Sequence, residues 1–145
     1  MAKTDILKEI ISKKKEKIVL AKQLLPEEEL KAKIPGLAPT RPFIEAIKKP
    51  RQISLIAEIK KASPSLGVIK ENFNHIEIAK IYQEAEVQAI SVLTEEDYFQ
   101  GSLNFINDVK AVTGVPVLRK DFILEPYQVY LACRQGLSIK SNILY

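Results

Sequence analysis

Three short apolar runs recur along the chain, at residues 53–60, 89–94 and 115–120, and each is followed by a stretch whose apolar residues step at helical intervals. Such a repeat has few ways to fold. Short connections and right-handed crossovers lay the strands parallel in one sheet with the helices packed against it, so the pattern predicts an α/β fold built from parallel (β/α) units. Asn74 and Glu77 have the spacing of a capping box and open a helix over residues 74–86. A second helix over 102–113 carries Leu103, Ile106 and Val109 on one side and stops at Gly114. The third runs over 125–134, with Pro126 in its first turn and Gly136 beyond its end.

A separate segment precedes these units. Over residues 5–25, Ile6, Leu7, Ile10, Ile11, Ile18, Ala21, Leu24 and Leu25 share one face of a helix, capped by Thr4 or Asp5 and ended by Pro26. Residues 26–50 hold five of the eight prolines and a short helical stretch at 43–48, which reads as a structured connection. The division is therefore a helical extension over 1–51, three strand–helix units over 52–136, and a divergent tail over 137–145.

At 145 residues the chain suits one domain of ordinary size. A charged fraction of 28% and the lack of a long uncharged apolar run speak against a membrane span, and residues 1–12 lack the layout of a secretory signal. The expectation is a soluble, cytoplasmic protein. One cysteine, Cys133, and one histidine, His75, exclude an intramolecular disulfide and any thiol or imidazole cluster for zinc; a metal would need carboxylates alone, and none are arrayed for it. The net charge of +4 sits in the extension, where residues 1–51 hold 13 of the 22 basic but only 7 of the 18 acidic side chains. The run Lys13-Lys14-Lys15 reads as a solvated helix face, and no aromatic residue precedes Phe43 to stack on a base. No nucleic-acid partner is predicted; the competing reading, a basic leader on DNA, would show salt-dependent affinity.

Strands this apolar are expected to be buried on both faces, so the polar residues interrupting them need a reason. Glu58 and Lys60 are two apart and point to one side of the first strand at its carboxyl end. Lys120 and Phe122 repeat that arrangement on the third strand, and Thr94 closes the second. Carboxyl ends of parallel strands are where α/β sheets carry their sites. Were Lys60 and Lys120 to face one mouth, each cation would lower the other's pKa while Glu58 opposed the shift, giving a set fit for proton transfer. The same spacing equally suits a plain ion pair at a strand end, and the residues alone leave both readings open.

Three longer blocks narrow the choice. Residues 54–65, SLIAEIKKASPS, resemble the first-strand signature of indole-3-glycerol phosphate synthases, which are (β/α)8-barrel enzymes. Residues 90–102, ISVLTEEDYFQGS, and 116–123, PVLRKDFI, are similar to that family in the same order and separation, as is a helical amino-terminal extension. The resemblance implies the amino-terminal part of a TIM barrel that closes and decarboxylates 1-(2-carboxyphenylamino)-1-deoxyribulose 5-phosphate to indole-3-glycerol phosphate, without a cofactor. It implies Lys120 as general acid on the ribulosyl carbonyl oxygen. Lys60 would hold the substrate carboxylate, and Glu58 would orient the lysines and assist dehydration. Phe99 and Phe122 would wall the anthranilate ring, and Ser63 would touch the substrate or its phosphate.

The family's barrel has eight strands, and three are clear here, with a fourth left open in the tail. After Gly136 the resemblance is expected to fail, with residues 137–145 read out of frame or past an aberrant junction. The glutamate base and the phosphate-binding amides would lie in the absent strands. The isolated monomer is therefore expected to show little or no turnover, and the alternative is a non-catalytic half-barrel that acts by self-association or by complementing a carboxyl-terminal half. Elsewhere, His75 reads as a first-turn helix residue, Cys133 as a packed thiol, Tyr127 and Tyr130 as core or interface, and Glu95-Glu96-Asp97 as a solvated acidic loop.

Overall fold

A computed structural model describes residues 5–37 and 39–134. The three apolar runs form β1 (Ile56–Ile59), β4 (Ala89–Leu93) and β5 (Val117–Lys120), a sheet of order β1-β4-β5 in which both pairings are parallel. Ile59 pairs with Val92 and Leu93 with Lys120, which brings the carboxyl ends of all three strands to one edge. Helices α4 (His75–Glu84), α5 (Asn104–Val112) and α6 (Pro126–Arg134) follow the strands. The α/β reading holds, as three units of an open parallel sheet; the tail over 137–145, with its possible fourth strand, lies outside the described residues.

Local chemistry sets the element ends. The Asn74 side chain accepts from the backbone N–H groups of Ile76 and Glu77, at 3.1 and 3.2 Å, and so caps α4. That helix stops before residue 86 because Glu86 adopts a left-handed φ of 54°. The first strand is shorter than the apolar run. Its ladder begins where the Leu55 carbonyl accepts from Gln88 and Ala89, while Ser54 turns back to donate to the Ile47 carbonyl, and Ile53 stays 99% exposed.

One core lies between sheet and helices, where Ala57, Ile59, Ile90, Val92 and Val117 meet Ala79, Ile106 and Val109. Alternation along a strand sends Ile56 and Glu58 to the opposite face. The expected burial on both faces is met in β4, where all five residues are buried, and corrected in β1, where Ile56 on the face opposite the helices is exposed.

The amino-terminal segment is more helical than its prolines suggested. After α1 (Ile6–Leu24), residues 27–33 form α2 (Glu27–Lys33), continued by a 3-10 turn, and α3 (Phe43–Ile47) matches the expected short stretch. Three glutamates in the first turn of α2 and lysines in its last complement the helix dipole, with a Lys31–Glu27 pair at 2.8 Å. A second small core of Ile18, Leu30 and Tyr127 holds α1 and α2 to α6, and the Tyr127 hydroxyl donates to the Leu25 carbonyl. At the opposite edge of the sheet, Arg41 donates to the Val115 and Lys110 carbonyls. The extension thus runs from the carboxyl edge of the sheet to its amino edge before entering β1.

Candidate active site

On the sheet face opposite the helices one carboxylate meets two ammonium groups. Glu58 Oε1 lies 2.9 Å from Lys60 Nζ, and Glu58 Oε2 accepts a hydrogen bond from Lys120 Nζ. The sheet register explains the meeting: Glu58 sits beside Ser91 on the neighbouring strand, and Lys120 beside Leu93, two residues further on, so both side chains rise from the same face. All three groups keep contact with solvent, Lys120 most. Burial pushes the Glu58 carboxyl up, but the hydrogen bonds and charges of Lys120 and Lys60 outweigh it and hold the group below the usual carboxylate range. A carboxylate so held is a fixed anion that aims two cations at one place.

Two loops build the wall beside this trio. Beyond β1 the chain turns back as a short hairpin with a three-residue loop, β2 (Ala62–Ser63) against β3 (Gly67–Val68), closed by Gly67 at a φ of 65°. Ser63 is buried there, and its Oγ accepts from the Leu66 N–H at 3.2 Å, so the hydroxyl shapes the turn. Beyond β4, the Phe99 carbonyl accepts from the Ala62 N–H at 3.2 Å and ties the second loop to the first. The Phe99 and Phe122 rings stand 6.3 Å apart with a 46° tilt, both half-buried. Thr94 is not part of this mouth. It shares the helix side with Val92, where its hydroxyl donates to Asp121 at 2.8 Å and accepts from Arg119.

Behind Lys120 lies a buried ionic cluster that sequence reasoning missed. Asp121 accepts from Arg119 and pairs with Lys14 of α1, both at 2.7 Å. Burial pushes the Asp121 carboxyl up, and the charges of Arg119 and Lys14 with their hydrogen bonds bring it below its ordinary value. The lysine run is a solvated face at Lys13 and Lys15 but not at Lys14. Lys14 is buried, and Lys13 lies over the Tyr98 ring at 4.8 Å, while Lys15 is exposed as expected. A helical wheel offers the signal: Lys14 falls four residues from both Ile10 and Ile18, on the apolar stripe. The cluster abuts a cavity of about 380 Å³ between α1 and α6, lined by Ile18, Ala21, Arg119, Tyr127 and Leu131 among others.

The acidic loop is corrected likewise. Glu96 and Asp97 face solvent and pair with Lys17, Asp97 at 2.8 Å, but Glu95 is 1% exposed. Its two oxygens accept from the N–H groups of Asp97, Tyr98 and Phe99 at 3.1, 2.7 and 3.1 Å. His75 opens α4 as expected, with Nε2 2.8 Å from Asp108 and its ring stacked on Phe105, away from the trio. Tyr127 is core, Tyr130 packs against it, and half-burial pushes the Cys133 thiol up. Among the described residues no cluster of three or more His, Cys, Asp or Glu side chains is arranged to hold a metal ion, and no helix is long and apolar enough to cross a membrane.

Residues 7–139 match the family model described as indole-3-glycerol phosphate synthase. Proteins of that name from Thermoanaerobacter pseudethanolicus, Priestia megaterium and Neisseria meningitidis are 47%, 48% and 43% identical to this chain over 125, 132 and 136 residues. These alignments cover 86%, 90% and 92% of this chain but 47%, 48% and 52% of the relatives, so the chain spans about half their length. With strand blocks, leader helix and overall likeness in agreement, the chain belongs to the indole-3-glycerol phosphate synthase family.

Proposed function

We propose that this chain supplies the acid–base half of an indole-3-glycerol phosphate synthase site, a carboxy-lyase acting on 1-(2-carboxyphenylamino)-1-deoxyribulose 5-phosphate. The observation that carries the reading is the single Glu58 carboxylate gripping Lys60 and Lys120 at the carboxyl ends of the strands. Ring closure turns a ketone into an alcohol as the anthranilate carbon attacks it, and the forming alkoxide needs a proton. Lys120, the more exposed ammonium, is the donor. Lys60 pairs with the substrate carboxylate until it leaves as carbon dioxide. Glu58 aims both cations and assists loss of the hydroxyl as water, which gives the indole.

The Phe99 and Phe122 pair suits an aromatic ring, since tilted rings at about 4.5–7 Å leave an apolar face for a third. Ser63 contributes through the hairpin it closes, and a contact to the substrate or its phosphate would use its remaining hydroxyl capacity. The residues present call for no cofactor: the chemistry is proton transfer and decarboxylation driven by regained aromaticity. The cytoplasm, which we propose as its location, suits a chain whose single cysteine is a free thiol.

The remaining strands of the barrel pair with the outer edges of β1 and β5, from the same or another polypeptide. The exposed Leu55, Ile56 and Leu66 favour such cover. The test mixes the 145-residue chain with a polypeptide carrying the carboxyl-terminal half of a relative and follows indole fluorescence. Turnover from the mixture, and from neither piece alone, is expected. A stable mixed complex without turnover would favour the second reading drawn from the same exposed apolar residues, a half-barrel that acts by association only.

A further inference from the structure

We infer that Glu95 is a positioning residue for Phe99, holding that ring against the site through the backbone of the turn between them. This rests on the proposed role of Phe99 as a wall for the substrate's aromatic ring. Three consecutive N–H groups, of Asp97, Tyr98 and Phe99, converge on one buried carboxylate. Only a carboxylate brings two acceptor oxygens and no donor; a glutamine would set its own NH2 against one of these N–H groups. The hydrogen bonds are charge-assisted and shielded from water, which makes them strong for their number.

The turn has no other freedom. Its base is closed by the Gly101 N–H donating to the Glu95 carbonyl at 2.7 Å, after Gln100 adopts a left-handed φ of 50°. At Gly101 a Cβ would stand 2.8 Å from the Glu95 carbonyl and closer still to that of Leu93. Its tip is held by the Phe99 carbonyl, which accepts from Ala62. Phe99 therefore has its N–H, its carbonyl and the residues on both sides fixed, and its ring meets Phe122, two residues from Lys120. Glu95 itself has no described contact with the Glu58, Lys60 and Lys120 trio, so its effect travels through Phe99.

Two measurements test this on Glu95→Gln. In the 145-residue chain, hydrogen exchange read by mass spectrometry should show amides 97–99 exchanging at least about tenfold faster while residues 89–93 keep their protection. In the barrel completed with a carboxyl-terminal half, KM should rise roughly tenfold with kcat within about threefold. Phe99→Leu should do the same, and the double variant should be no worse than either single one. A role in stability alone would lower yield or melting temperature and leave KM in place. Should Glu95→Gln fold poorly, Glu95→Asp, which keeps the charge one methylene short, should show the same KM shift. Unchanged exchange at 97–99, or additive KM effects in the double variant, overturns the inference. A wild-type barrel without turnover sinks the functional reading instead, and the exchange result then decides on its own whether Glu95 holds the turn.

Discussion

Lys14 in the leader helix and Asp121 beside the proposed acid Lys120 form an ion pair at 2.7 Å, with side chains only 8% and 1% exposed. A buried pair broken at one end leaves a charge that neither water nor a partner compensates, at a cost of about 3–5 kcal/mol. Arg119 remains beside Asp121 and places the expected loss for Lys14→Met at the lower end of that range. Lys15→Met, on the exposed side, should change stability by less than about 0.5 kcal/mol. Urea denaturation of the two variants beside the parent chain measures the difference, and equal midpoints would contradict it.

The acid limb of stability should report the same carboxylate. The Asp121 pKa is lowered by folding, so the unfolded chain binds its proton more readily. The contribution is full above the unfolded value of about 3.9 and is lost as pH falls from there through the folded pKa. Asp121→Asn should flatten the stability profile below about pH 4 and leave its shape near neutrality unchanged. Glu58, lowered in the same direction, adds a smaller contribution because it is partly solvated. Denaturant titrations from pH 2 to pH 7, run on both chains, check the sign.

Catalysis should separate from assembly at Lys120. It is the most exposed of the trio, with 55% of its side chain accessible, so Lys120→Ala removes no core packing. In a completed barrel this change should cut kcat by roughly 10²–10⁴-fold, the usual worth of a positioned proton donor. Size-exclusion profiles and melting temperature should stay as in the parent. A variant that keeps more than a tenth of the rate would move the acid role elsewhere, with Lys60 the next group to replace.

Gly101 should be the least replaceable of the described glycines. A methyl group there meets two backbone carbonyls that cannot turn aside, so Gly101→Ala should cost at least about 1–3 kcal/mol and loosen the turn that carries Phe99. Gly36→Ala, with nothing within 4 Å, should be nearly neutral. Thermal melts of the pair provide the comparison.

Parallel strands, their carboxyl ends, the Asn74 cap and the first-turn Pro126 were legible because periodicity and capping are local signals. So was the company of Glu58, Lys60 and Lys120, since strand alternation decides which side each residue faces. What escaped was tertiary. Lys14 and Glu95 are buried ions whose partners lie on another element or in the backbone of a turn, and within runs of like charge both look solvated. Residues 27–33 hid as a helix behind flanking prolines, although their Glu and Lys ends follow the dipole rule. Thr94 shows the limit of strand-end reasoning: one register step places a polar residue behind the sheet instead of at its mouth.

The leader's attachments have a consequence for synthesis on the ribosome. Leu25 is bonded to Tyr127, 102 residues later, and Lys22 to Glu125 across 103. Helix α1 must therefore wait for α6, the last described helix, before it can dock on it, and at typical elongation of about 5–20 residues per second that interval lasts several seconds. Through it, the apolar stripe of Ile10, Ile18 and Leu25 is open to chaperones, and the nascent chain clamps shut only when α6 emerges.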